Sequence, residues 1–214
     1  MDATAQSGSG SGSGYHERVQ QEKRSAILRA ATELFLESGY DGTSLARVAR
    51  VAGVSTATLF KRFPTKAALF DAIVAAHWAV GDHATEPPQP GDPRAGLSTL
   101  ARRYADLIDR PEMVALFRIV IAEAPRFPEL SRRHFALGKL PFFATVQAYL
   151  EAEAAAGTLH IDDAELAATH FMGMIATFCF WPRLLLVDYA PTAEAVQREL
   201  DEAVRTMLAR YGPA

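Results

Sequence analysis

Cysteine is almost absent: Cys179 is the single one in 214 residues. That excludes an internal disulfide framework and a zinc site built from cysteines. Long apolar runs are missing too. No stretch approaches the roughly 18 consecutive residues that a bilayer-crossing helix needs, and no charged-then-apolar leader opens the chain. A soluble, cytoplasmic protein with no membrane partner is expected. Strand-like alternation is lacking, no internal repeat is evident and no Gly-rich phosphate loop occurs. Hydrophobic residues at 49% and charged residues at 22% nevertheless describe an ordinary globular chain, which excludes disorder as a whole-chain property.

The net charge of -3 hides an asymmetry. Residues 15–77 carry 9 Lys+Arg against 6 Asp+Glu, whereas residues 78–214 carry 13 against 18. A basic front and an acidic back suggest that only the front meets a polyanion.

The periodicity is helical almost everywhere, so an all-α fold of about nine helices is expected. Residues 1–14 end in a Ser-Gly repeat from Ser7 to Gly14 and read as a disordered tail. Four prolines between Pro87 and Pro93 forbid a continuing helix. Ile27, Ala30, Ala31, Leu34 and Phe35 form one stripe of a helix that should end near Gly39. The back half predicts helices over 94–109, 111–124, a long one to about Ala156 with a kink at Pro141, one to about Trp181, and a last one over 192–210.

The informative stretch runs from Thr43 to Phe63. A hydroxyl cap opens a short helix on which Leu45, Val48, Ala49 and Ala52 form the apolar stripe, and Gly53 must stop it. Glycine permits the tight turn, and Val54 is the apolar plug between two helices. Ser55 then caps a second short helix whose Leu59 and Phe63 face inward. Thr56, Ala57, Thr58, Lys61 and Arg62 are left outside. This is a helix-turn-helix with a small, polar, basic second helix suited to a major groove.

The first-helix stripe, Gly39-Tyr40, Thr43-Ser44, Val48-Ala49, Ala52-Gly53-Val54-Ser55, Leu59-Phe60, Phe63 and Lys66 together resemble the DNA-binding domain of the TetR family of bacterial transcriptional regulators. The resemblance covers residues 24–74, and the run Ile121–Leu130 resembles one C-terminal subgroup of the family. It implies a helix-turn-helix domain over 15–66 joined to a larger helical effector-binding and dimerisation domain over 67–214. It implies double-stranded operator DNA as a partner, with Thr43, Ser44 and Lys66 on phosphates. Thr56, Ala57 and Thr58 would lie at base edges, flanked by Lys61 and Arg62, with the capping Ser55 also in the contact set. Phe60 stands where the family usually has tyrosine, and Arg47 where an acidic residue is common; both remain in the expected contact set. A homodimer through the last two long helices is also implied, because a palindromic operator requires twofold symmetry.

By the same analogy a small apolar or aromatic effector lies among the middle helices and releases a repressor from its operator. The expected lining is Trp78, Leu107, Phe117, Ile121, Phe142, Phe143, Met174 and Phe178, with Arg118 and His170 for a polar group. The alternative is gating by a protein partner or by redox state. Neither a cofactor nor a metal is implied. Catalysis is not expected: Cys179 and His170 are nine residues apart on one helix, about 13 Å along its axis, and Cys179 has no adjacent cation.

Overall fold

The computed structural model describes residues 10–79 and 86–213, and all regular structure among them is helical. The chain divides into two compact units between Ile73 and Val74. That boundary falls inside a helix, beyond the domain junction expected at residue 66.

The front unit begins with α1 (Gly10–Gly42), whose Ile27, Ala31, Leu34 and Phe35 are buried as the stripe predicts. The tail expected over 1–14 lies outside the described residues as far as residue 9, but helix is already present from Gly10. Once a turn exists, each added residue gains a hydrogen bond for its lost freedom, which lets helix extend through Ser-Gly residues. Near the other end Gly39 leaves helical geometry at φ 72°, ψ 166°, a region glycine enters without a Cβ clash. Next come α2 (Leu45–Val51), α3 (Thr56–Arg62) and α4 (Lys66–Trp78). Val48, Leu59, Phe63, Leu69 and Phe70 complete the core of this unit.

In the back unit α5 (Pro93–Ile108) and α6 (Pro111–Glu123) each open on a proline, where the missing N–H costs no helical bond. Then α7 (Pro128–His134), a π-helical turn (Phe135–Lys139) and α8 (Leu140–Ala155) run on without a break. The sequence places the irregularity of this rod at Pro141. The structure places it one turn earlier, and Pro141 sits in the first turn of α8, where it is harmless. After α9 (Ala164–Cys179) a short α10 (Trp181–Leu185) accommodates Pro182, and α11 (Ala193–Tyr211) closes the chain. Counting α7, the π turn and α8 as one rod, the described residues form ten helical rods, one more than expected.

Helix α9 is the hub of this unit, packing against α5, α8 and α11. Its Phe171 and Ile175, with Leu100, Leu107, Val204 and Met207, are buried in the core. Glu153, fully buried on α8, staples neighbouring loops: it accepts from Gly91 N–H (3.0 Å) and from the hydroxyls of Tyr149 and Thr158. Three acceptances of this kind are what make a buried carboxylate tolerable. The Tyr149 hydroxyl also donates to Asp92 O (3.2 Å), and it passes directly over Gly96.

A Cβ added at Gly96 would lie 1.8 Å from the Tyr149 hydroxyl oxygen, whereas one added at Gly173 meets nothing within 4 Å. Gly96→Ala should therefore lower stability by about 1–3 kcal/mol through overpacking. Gly173→Ala should leave it equal or raise it by up to about 1 kcal/mol through helix propensity. The two urea-unfolding midpoints, measured side by side, check this.

Candidate DNA interface and effector cavity

The front unit presents a helix-turn-helix built as the residues dictate. Ser44 caps α2 by accepting from Arg47 N–H (3.2 Å), and Ser55 caps α3 by accepting from Thr58 N–H (3.1 Å). Between them Gly53 turns at φ 66°, and Val54 N–H returns to Ala49 O (3.0 Å). Thr56, Ala57, Phe60 and Lys61 are exposed on α3, with Thr58 and Arg62 half-buried. The Thr58 hydroxyl is hydrogen-bonded to Ser55 Oγ (2.8 Å), so it is partly committed to the cap.

Three residues of the expected DNA-contact set have internal partners. Thr43 is fully buried, and its hydroxyl lies 2.9 Å from both Leu34 O and Gly39 O at the end of α1. The side chain is closed to DNA; a lone hydroxyl beside open helix carbonyls is held by them. Arg47 donates to Ser38 Oγ (2.7 Å) and to the Glu37 carboxylate (3.0 Å), so its charge is neutralised on α1. Lys66 donates to Tyr40 O (2.6 Å) and Asp41 O (3.1 Å), with its ammonium 4.8 Å from the Tyr40 ring centre.

In the back unit a cavity of about 330 Å³ is walled by aromatic rings. Trp78, Phe117 and Phe143 line it as expected. The lining also includes Tyr104 and Ile108 from α5, Phe135 and Lys139 from the π turn, and Thr169, Met172, Gly173 and Ala176 from α9. Phe180 and Trp181 complete it. The Phe117 and Phe180 rings meet edge to face at 4.6 Å.

The other expected lining residues lie elsewhere. Leu107 is fully buried in the core, and Phe142 stacks on Tyr104 (5.4 Å) behind the wall. Ile121 is 55% exposed, one turn beyond Phe117. Met174 and Phe178 are half-buried on another stripe of α9, and His170 is exposed. Arg118 donates to the carbonyls of Arg183 (2.9 Å) and Leu184 (3.4 Å), and so closes the end of α10.

The histidine that matters is His134. It is 1% exposed, its ring lies edge-on to Phe117 (4.5 Å) and Trp78 (5.6 Å), and neither ring nitrogen has a hydrogen-bond partner. The Trp78 indole N–H is likewise buried and unpartnered. Desolvation, with a smaller push from Lys139, lowers the His134 pKa to about 4. No periodicity could flag it, because it sits on the basic, polar-looking run Ser131–His134.

Residues 27–73 match the family described as bacterial regulatory proteins, tetR family, and residues 95–213 match the AefR-like transcriptional repressor C-terminal domain. The flavonoid-responsive regulator FrrA is 32% identical, with a TM-score of 0.69 over 89% of this chain and 97% of FrrA. A Mesorhizobium loti structure assigned to the TetR family is 29% identical, with a TM-score of 0.76 over 89% of this chain and 97% of its own. RutR of Escherichia coli K12 is 41% identical over 61 residues, 28% of this chain and 29% of RutR. The chain thus spans less than a third of the length of that relative. The chain belongs to the TetR family of DNA-binding transcriptional regulators. No helix among the described residues is long and apolar enough to cross a membrane.

The His134 shift has a consequence for stability. Its folded pKa of about 4 lies below the unfolded 6.5, so the folded state binds fewer protons between those values. The stabilisation is complete above pH 6.5 and should be lost as pH falls towards 4, on the order of 3 kcal/mol in total. Urea unfolding at pH 7, 6, 5 and 4.5 should show a shallower pH slope for His134→Leu than for the parent chain.

Proposed function

We propose that this regulator is a homodimeric repressor that leaves a palindromic operator when a compact aromatic effector enters the back unit. The observation that carries this reading is the aromatic-walled cavity of about 330 Å³. It falls at the lower end of the range for ligand pockets, about 300–1,000 Å³, and has few polar groups, as such sites usually do. The name of FrrA, a flavonoid-responsive regulator, supports an aromatic effector by similarity.

The exposed face of α9 supports the dimer. Leu166, Thr169, Gly173 and Thr177 follow helical spacing there and are all exposed, a partly apolar face open to a second copy, on which Thr169 and Gly173 also border the cavity. Paired α3 helices would then enter successive major grooves about 34 Å apart, and effector binding would favour a spacing that misses them. A hundredfold loss of operator affinity requires a coupling of about 2.7 kcal/mol. Redox gating is poorly supported: Cys179 is buried, and burial together with Asp109 pushes its thiol up to about 11, leaving little thiolate at neutral pH.

Selection of bound duplexes from genomic fragments, at two salt concentrations, tests the reading. One short inverted repeat with steep salt dependence is the expected result; no repeat at either salt would defeat it. On that operator, Lys61→Ala should weaken binding and reduce the salt slope by about 0.9, the signature of one lost phosphate contact. Arg47→Ala should change the slope much less, because Glu37 already neutralises Arg47. Band-shift titrations across a salt series check both.

A further inference from the structure

One charged residue borders the cavity. Lys139 is the only charged side chain among the lining residues, and its ammonium rests 4.9 Å from the centre of the Phe135 ring. No carboxylate pairs with it among the described residues. An ammonium is strongly hydrated, and a ring face replaces only part of that hydration.

A second donor accompanies it. Tyr104 lines the same cavity, and its hydroxyl has no hydrogen-bond partner among the described residues. Burial pushes that phenol up to about 12, so it stays protonated and available to donate. The remaining hydroxyl on the wall, that of Thr169, already donates to Glu165 O (2.9 Å). Behind the wall His134 is neutral and supplies no further charge. The open polar groups of the lining are therefore donors, one of them positive, set among aromatic rings.

We propose that the effector is an aromatic acid: a flat ring body held by the wall, with one anionic oxygen group on Lys139, in a lining whose other open hydroxyl, that of Tyr104, is also a donor. This rests on the cavity being the effector site. A neutral aromatic would leave the ammonium unpaired and further dehydrated. A dianion would find only one cation.

Calorimetric titration with 2-naphthoate and with 2-naphthamide, which share shape but differ in charge, tests the inference on the full chain. The naphthoate should bind at least tenfold more tightly. Lys139→Met should abolish that preference, costing the naphthoate at least tenfold more affinity than the naphthamide, and Lys139→Arg should retain it. Thermal melts verify folding, and Lys139→Gln serves if the methionine variant melts early. Equal affinities in the parent chain, or a preference that survives Lys139→Met, would overturn the acid assignment and leave the cavity reading intact. If neither compound binds, or if binding persists in the cavity-filling variant Ala176→Leu, the cavity is not the site and both readings fall.

Discussion

The front unit depends on how the carbonyls at the C-terminal end of α1 are satisfied. Gly39 interrupts the helix, so the oxygens of Leu34, Gly39, Tyr40 and Asp41 need donors from outside it. Thr43 serves the first two from the residue before the α2 cap, and Lys66 serves the others from the first turn of α4. Both segments flanking the α2–α3 hairpin are thereby fastened to one helix end. Hydrogen bonds from a charged donor contribute about 1.5–3 kcal/mol each, so the Lys66 pair is a strong fastening for so small a unit. The orientation of α3, and hence of its exposed polar face, follows from it together with the Gly53 turn.

This explains what the sequence could and could not convey about the DNA side. Apolar spacing, hydroxyl caps and the Gly53 turn are local signals, and they delimit α2 and α3 nearly to the residue, whereas α1 starts earlier and ends later than they indicate. Thr43, Arg47 and Lys66 were legible as polar residues at helix starts, but their partners lie 4 to 26 residues away. A hydroxyl, a guanidinium and an ammonium suit a phosphate and a helix carbonyl or carboxylate alike. Only the position of the end of α1 decides between them.

The cavity was less legible for a geometric reason. Analogy with the family pointed to aromatic and methionine side chains of the middle helices, and Trp78, Phe117 and Phe143 of that set do line the cavity. Which stripe of α9 looks inward depends on its neighbours, however. Met172 and Ala176 lie on the lined stripe; Met174 and Phe178, two residues along, are rotated by about 200°. In the same way Phe117 reaches the cavity and Ile121, a turn later on the same stripe, has already passed it.

Along the π turn between α7 and α8, Phe135 and Lys139 both line the cavity while Gly138 sits under the indole of Trp78. A Cβ at Gly138 would lie 2.3 Å from the Trp78 ring nitrogen, so the ring can occupy the wall only because glycine is there. The same close packing strips partners from the Trp78 N–H and from both nitrogens of His134. Each orphaned buried polar group costs about 1–3 kcal/mol, a burden a purely structural core has no reason to keep. Irregular helix, unpaired polar atoms and a lone ammonium converge within one turn of the chain, from His134 to Lys139. Such irregularity and unpaired polar atoms are commonest where function requires them, which is the physical ground for the effector reading proposed above.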